Sequence, residues 1–207
     1  TGLNLSSSLS HCGALDKYNV QIIGVDLEAI RRGEDRLAFK ETMAELGIEM
    51  PQSKVAYSVE DAESIATELR YPVVVRPAFT LGGTGGGLAY NVEELRVIAS
   101  RGIAASMIGQ VLIEESVEGW EELELEIIRD AKNQIITVCF IENVDAMGVH
   151  TGDSYCTAPM LTISESLQQR LQEYSYRIVE KIGVIGGTNI QFAYDPKTSR
   201  VVVIEIN

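Results

Sequence analysis

The chain has 207 residues, 45% of them hydrophobic, which is enough for one sizeable core or two small lobes. Its formal net charge of -13 excludes a general nucleic-acid surface, because phosphate backbones need a basic field. No apolar stretch approaches the roughly 20 residues that a membrane span needs, and no signal peptide is visible, so neither nucleic acid nor membrane is an expected partner.

VQIIGV at 20–25 reads as a buried strand. GEDRLAFKETMAELGI reads as a helix from about Glu34 to Leu46, stopped by Gly47. SVEDAESIATELR predicts a second helix, with Ser58 and Asp61 in a capping-box pattern. YPVVVRP is a strand, a glycine-rich loop follows, and GLAYN is a short second strand. NVEELRVIASRG predicts a helix capped by Asn91 and Glu94, and QVLIEESVEG a strand running into a turn.

ELELEIIRD alternates polar and apolar residues, as a half-exposed strand does, and QIITVCFIEN pairs with it across the turn DAKN. SESLQQRLQEYSYRIVEKIGV is a long amphipathic helix closed near Gly183. TNIQFAYD and RVVVIEIN are two strands joined by PKTS as a hairpin. The sum is an α+β chain with a small middle lobe carrying the glycine loop and a larger lobe carrying the last hairpin.

Cys12, Cys139 and Cys156 form no CxxC pair, and an odd, scattered set suits a reducing, cytoplasmic compartment. His11 and His150 show no zinc-ligand spacing. His150 sits in the glycine-flanked loop DAMGVHTGDS, where a structural role and a place beside a nucleotide are both open.

The stretch RPAFTLGGTGGGLAYN places five glycines within residues 82–87. It is not a Walker loop, since no lysine follows the glycines and the next element is a strand. It is not a dinucleotide fingerprint, since Leu88 stands where the third glycine belongs. A glycine hairpin can fold over a polyphosphate, because backbone N–H groups without Cβ atoms approach an anion closely. A flexible hairpin tip without a ligand is the alternative. Arg76, at the end of the preceding apolar strand, either faces an anion or forms a buried ion pair with a glutamate. Arg36, at a helix start, is a second anion candidate or a solvated helix residue.

Side chains alternate along a strand, so Ile190, Phe192 and Tyr194 share one face of NIQFAYD, and Asn189 and Gln191 the other. In VVVIEIN the same period groups Val202, Ile204 and Ile206 against Glu205 and Asn207. If the strands pair, Gln191, Glu205 and Asn207 converge as oxygen ligands suited to a nucleotide-borne Mg²⁺. A solvent-exposed sheet face is the competing reading. The acidic segment IEESVEGWEELELE can be a solvated charge run or, in its strand backbone, a wall for adenine.

Together EDRLAF, VVVRPAFTLGGTGGGLAYN, LIEESVEGWEELELE, ENVDAMGVHTGDS, GGTNIQFAYDP and VIEIN resemble the ATP-grasp family. Within it they resemble the carbamoyl phosphate synthetase large-subunit family, over about residues 16–207 and in the expected order. GGTGGGLAYN and ENVDAMGVHTGDS are similar to its amino-terminal half, which makes carboxyphosphate.

The resemblance implies an ATP-grasp fold of two lobes with nucleotide bound between them. It implies a tail of a preceding domain over 1–28 and an ATP-grasp domain over 29–207. Thr1 at one end, and EIN inside an apolar run at the other, read as a longer protein cut at both ends. The implied activity is ATP- and Mg²⁺- or Mn²⁺-dependent phosphorylation of bicarbonate, the first step of carbamoyl phosphate synthesis for arginine and pyrimidines. Implied partners are ATP, bicarbonate, the remainder of the large subunit and a glutaminase small subunit.

The resemblance also implies residue roles. Arg36 and Arg76 contact nucleotide phosphates, and Gly82 and Gly83 lie in the covering loop. Glu115 and Val117 line the adenine and ribose pocket, with Glu122 on the ribose side. Gly148, Val149 and His150 complete the nucleotide wall. Gln191, Glu205 and Asn207 hold the divalent ions, and Arg76, Glu205 and Asn207 are the expected catalytic residues. K⁺ is an expected further cofactor, held by Glu122, Asn143, Asp145 and Ser154. Another ATP-grasp ligase, such as a biotin carboxylase, and a nucleotide-binding module without turnover are the alternative functions.

Overall fold

A computed structural model describes residues 2–77, 85–106, 108–148 and 154–207, with side chains left aside at 3, 4 and 34. The chain divides into two compact units, one of residues 1–50 with 119–207 and one of residues 51–118.

The smaller unit is a four-stranded antiparallel sheet, β1 (Ser53–Ala56), β2 (Val73–Pro77), β3 (Gly87–Ala89) and β4 (Val111–Glu115), in the order β1-β4-β2-β3. Helices α5 (Val59–Leu69) and α6 (Val92–Ala105) cover it, burying Val73, Val75, Ile113 and Leu95 among small alanines. Both helices start as the sequence predicts. Ser58 Oγ accepts the Asp61 N–H, and Asn91 Oδ1 accepts the Glu94 N–H. In each case the returning carboxylate takes the N–H one residue earlier than the capping box assumes, at Tyr57 and Tyr90. Helix α6 runs past Gly102 to Ala105, and a Cβ at Gly102 would lie 2.9 Å from Val111 Cγ1. Glycine there lets the helix lie against β4.

The larger unit holds α1 (Gly2–His11), α2 (Ala14–Lys17), α3 (Leu27–Glu34), α4 (Arg36–Leu46) and α7 (Glu165–Ile182). Its five-stranded antiparallel sheet comprises β5 (Glu121–Arg129), β6 (Ile135–Asn143), β7 (Cys156–Thr157), β8 (Gly186–Asp195) and β9 (Arg200–Ile206), in the order β7-β6-β5-β8-β9. Leu123, Leu125, Ile127, Ile190 and Phe192 meet Leu171, Ile178 and Val179 of α7 in the main core. The helix ends at Gly47 and Gly183 stand as expected, both in the left-handed region.

Four sequence expectations change. VQIIGV is neither strand nor buried: residues 20–25 are irregular, and Ile23 is 91% exposed. An apolar run becomes a strand only where another strand offers hydrogen bonds, and among the described residues none pairs here. The helix expected from Glu34 begins at Arg36, because Asp35 ends α3 and caps α4 through the N–H groups of Leu37 and Ala38. β5 is central in its sheet and alternates as expected from Leu123 on, with Leu123, Leu125 and Ile127 buried, but the alternation breaks at Glu122, which is only 4% exposed.

The fourth change is on β9. A β-bulge displaces the β8–β9 register between Gln191 and Phe192, so Phe192 faces Val203 while Gln191 faces Glu205. Val201, Val203 and Ile206 therefore join the core, and Ile204 falls in the bulge, in place of the simple alternation of Val202, Ile204 and Ile206.

Candidate functional site

The outer face of the large sheet carries a polar grid. Gln191 on β8 lies opposite Glu124 on one side and Glu205 on the other. Asn189, two residues earlier, lies opposite Glu126, and it exchanges two backbone hydrogen bonds with Asn207, at 3.0 and 2.8 Å. Directly opposed residues share a face of the sheet. Two adjacent rows result, Glu124–Gln191–Glu205 and Glu126–Asn189–Asn207. The convergence of Gln191, Glu205 and Asn207 expected from the sequence is present, and Asn207 Nδ2 donates to Glu205 Oε1 at 3.3 Å.

Sequence reasoning missed three members of this grid as site residues: Glu124, Glu126 and Asn189. Asn189 Nδ2 donates to Glu124 Oε2 at 2.8 Å and to Glu126 Oε1 at 3.1 Å. The signal was the alternation ELELE, whose glutamates fall on the same face as Gln191 once the register is known.

Among the described residues no group of three His, Cys, Asp or Glu side chains is arranged to hold a metal ion. A divalent ion here must therefore take amide oxygens and ligand phosphates as well as carboxylate, the donor set that Mg²⁺ bound to a nucleotide uses. The buried Asn189 Oδ1 has no hydrogen-bond partner and fits such a role.

The expected K⁺ residues cluster where β6 ends. Ser154 Oγ donates to Asn143 Oδ1 at 3.2 Å, and Asp145 Oδ2 accepts the Tyr155 N–H at 3.1 Å. Asn143 Nδ2 reaches Glu124 Oε1 at 3.0 Å, which ties this turn to the grid. Glu122 is buried on β5, and Gly148 closes the turn with φ 114°. Arg36 is half-buried at the first position of α4. Gly82, Gly83, Val149 and His150 lie outside the described residues.

On the opposite, helix-facing side of the sheet, Glu142 lies across from Leu123. Its carboxylate accepts the N–H groups of Leu161 and Thr162 at 2.8 and 3.0 Å, and the Thr162 hydroxyl. Burial works against its ionisation, but these donors outweigh it and hold the carboxyl below its ordinary range. Burial, then the Glu142 charge, pushes neighbouring Glu121 upward. Both line a cavity of about 260 Å³.

In the smaller unit, Arg76 forms the ion pair with glutamate that its sequence position left open. Its Nε lies 3.1 Å from Glu114 Oε1; the arginine is half exposed and the glutamate is not. Glu115 Oε1 accepts the Gln52 N–H at 2.8 Å, and its own N–H bonds Gln52 O at 2.8 Å, which fixes the end of β4. Val117 is half-buried two residues on. The half-exposed guanidinium of Arg76 can meet an anion, with part of its charge already offset by Glu114.

A sequence model described as "Carbamoyl-phosphate synthase L chain, ATP binding domain" matches residues 35–207. The carbamoyl phosphate synthase large chain of Archaeoglobus fulgidus is 56% identical over 208 residues, covering 100% of this chain. The chain spans 19% of that relative's length. Among solved structures, biotin carboxylase of Campylobacter jejuni, in a β,γ-ATP complex, superposes with a TM-score of 0.76 at 22% identity. It covers 98% of this chain and 46% of its own. The biotin carboxylase domain of Hydrogenobacter thermophilus 2-oxoglutarate carboxylase, with MgADP, ADP and bicarbonate, gives 0.76 at 21%, with the same coverage. These likenesses show the ATP-grasp fold that the sequence resemblance implies, and the chain belongs to the family of the carbamoyl-phosphate synthase L chain, ATP binding domain.

Proposed function

We propose that the chain binds ATP with Mg²⁺ or Mn²⁺ and, within the full large chain, phosphorylates bicarbonate to carboxyphosphate. That is the first step in making carbamoyl phosphate from glutamine or ammonia, bicarbonate and ATP. The observation that carries the reading is the in-register pair Gln191–Glu205 with Asn207 beside it, on the outer face of a sheet whose other face packs the core. Family membership supports it, as do the nucleotide and bicarbonate in the solved structures that share the fold.

Arg36 and Arg76 then meet the phosphates. Glu115, Val117, Gly148, Val149 and His150 line the nucleoside, with Glu122 at the ribose. Asn143, Asp145, Ser154 and Glu122 hold K⁺, and Gly82 and Gly83, outside the described residues, belong to the phosphate side of the same reading. Gln191, Glu205 and Asn207 would hold the divalent ion, which when bound would supply positive charge against the phosphate charge of the nucleotide. A bicarbonate oxygen attacks the γ-phosphorus in line, its new P–O bond forming as the bond to ADP breaks. The protein positions the reactants and stabilises charge, and forms no covalent bond itself. The remainder of the large chain and a glutaminase subunit complete the synthesis, in the cytoplasm. Among the described residues no helix is long and apolar enough to cross a membrane.

For the isolated chain, nucleotide binding without turnover is the second reading, since it spans 19% of the length of its relative. The test has two arms. The full large chain should release phosphate from MgATP faster with bicarbonate than without, and the 207-residue chain should give binding heat with millimolar MgATP. Absence of bicarbonate dependence sinks the catalytic reading, and absence of both heat and thermal shift sinks nucleotide binding.

A further inference from the structure

Glu124 bonds two amides at once. Its Oε1 accepts Asn143 Nδ2 at 3.0 Å, and its Oε2 accepts Asn189 Nδ2 at 2.8 Å. A carboxylate only accepts, so both asparagines are compelled to present their NH₂ groups to it and to turn their oxygens away. The second N–H of Asn189 goes to Glu126 Oε1 at 3.1 Å, so a flipped Asn189 would set its oxygen against two carboxylates. The outcome differs at the two residues. Asn143 Oδ1 receives the Ser154 hydroxyl at 3.2 Å, whereas the buried Asn189 Oδ1 has no partner. Leaving a buried carbonyl unmet is costly, and native structures do it where something else completes the bond. Asn189 lies in the row next to Gln191–Glu205 and directly opposite Asn207.

We propose that Glu124 is a positioning residue that locks the Asn143 and Asn189 amides and presents Asn189 Oδ1 as an acceptor for an electropositive ligand. The proposal rests on the nucleotide-binding reading for the identity of that ligand, a divalent cation carried by a nucleotide. Glu124 itself touches no ligand. It links the turn holding Asn143 and Ser154 to the row holding Gln191 and Glu205, so occupancy of one is sensed at the other through a single carboxylate. Supporting partners of this kind change metal affinity by about 10- to 100-fold when removed.

The experiment compares the isotope-labelled chain with its Glu124→Gln and Glu124→Asp variants by NMR. The side-chain NH₂ signals of Asn143 and Asn189 report amide orientation without any activity. In the wild type both should be displaced from the free-amide position and exchange slowly with solvent. Glu124→Gln, which offers one acceptor in place of two, should release at least one amide while the melting temperature stays within a few degrees. Its affinity for MnADP, read by paramagnetic broadening of the Asn189 signal, should fall about 10- to 100-fold. Glu124→Asp keeps the charge and both acceptors and should restore part of the affinity; it also carries the test if Glu124→Gln does not fold. Unchanged amide signals in Glu124→Gln, or wild-type affinity for MnADP, overturn the proposal. If the wild type shows both locked amides but binds no MnADP, the nucleotide reading fails, while the positioning by Glu124 stands on the amide signals.

Discussion

Arg76 and Glu114 form an ion pair in which the arginine side chain is 50% exposed and the glutamate 4%, with Nε and Oε1 3.1 Å apart. The carboxylate is held in the sheet of the smaller unit while the cation reaches solvent. A buried charge left without a partner is expensive, and part of its neutralisation comes from Arg76. Arg76→Ala should therefore destabilise the chain by about 2 to 3 kcal/mol, quite apart from any effect on a bound anion. Adding Glu114→Gln should recover part of that loss. Thermal melts of the single and double variants check it, and equal melting temperatures for Arg76→Ala and wild type would falsify the buried-charge argument.

Glu205→Gln in the full large chain should abolish bicarbonate-dependent ATP turnover with little change in stability. Glu205 is exposed, so the substitution removes charge without disturbing packing. It is the only acidic residue of β9, and it faces Gln191. Losing a charge-assisted contact to a metal ion between phosphates costs about 3 to 4 kcal/mol, roughly 10²- to 10³-fold in rate. A variant that melts normally and keeps most of its rate across a range of Mg²⁺ concentrations would show that Glu205 holds no catalytic metal.

The bulge in β9 makes a prediction about neighbours. Val203 is fully buried against the main core, whereas Ile204, the larger residue, is only partly buried. Val203→Ala should cost about 2 kcal/mol, and Ile204→Ala less than about 1 kcal/mol, although it removes more atoms. Denaturant unfolding of the two variants decides the order. The reverse order would restore the simple alternation.

Glu142 predicts a pH dependence. Its folded-state carboxyl lies below the ordinary value of 4.5, so its stabilisation is fully present above 4.5 and is lost as pH falls through the folded value. Glu121 works the other way: its folded value is raised, so its contribution is fully present below 4.5 and is lost as pH rises through that value. Glu142→Gln should cost about 1 to 2 kcal/mol near neutrality, through the Leu161 and Thr162 donors, and the gap should close below pH 4.5. Urea unfolding at several pH values measures it, and a gap that persists unchanged in acid would remove the carboxylate from the account.

What the sequence determined by itself was local. Ser58, Asn91 and Ser164 each cap a helix through an N–H three residues away, and Gly47 and Gly183 end helices at left-handed positions that other residues adopt at a cost. PKTS joins two strands within a few residues, so the β8–β9 hairpin, and with it the meeting of Gln191, Glu205 and Asn207, was legible. Tertiary structure decided the rest, because each remaining feature depends on residues far apart in sequence. VQIIGV has the composition of a strand and no strand beside it. Whether Arg76 meets a glutamate depended on β4 lying next to β2. The inward face of β9 depended on a bulge against β8, which alternation along β9 alone cannot reveal. The placement of Glu124 and Glu126 beside Gln191 and Asn189 followed from β5 pairing with β8 at one register. A slip of one residue would have turned both glutamates into the core, where burying two charges without partners would cost more than the sheet could offset.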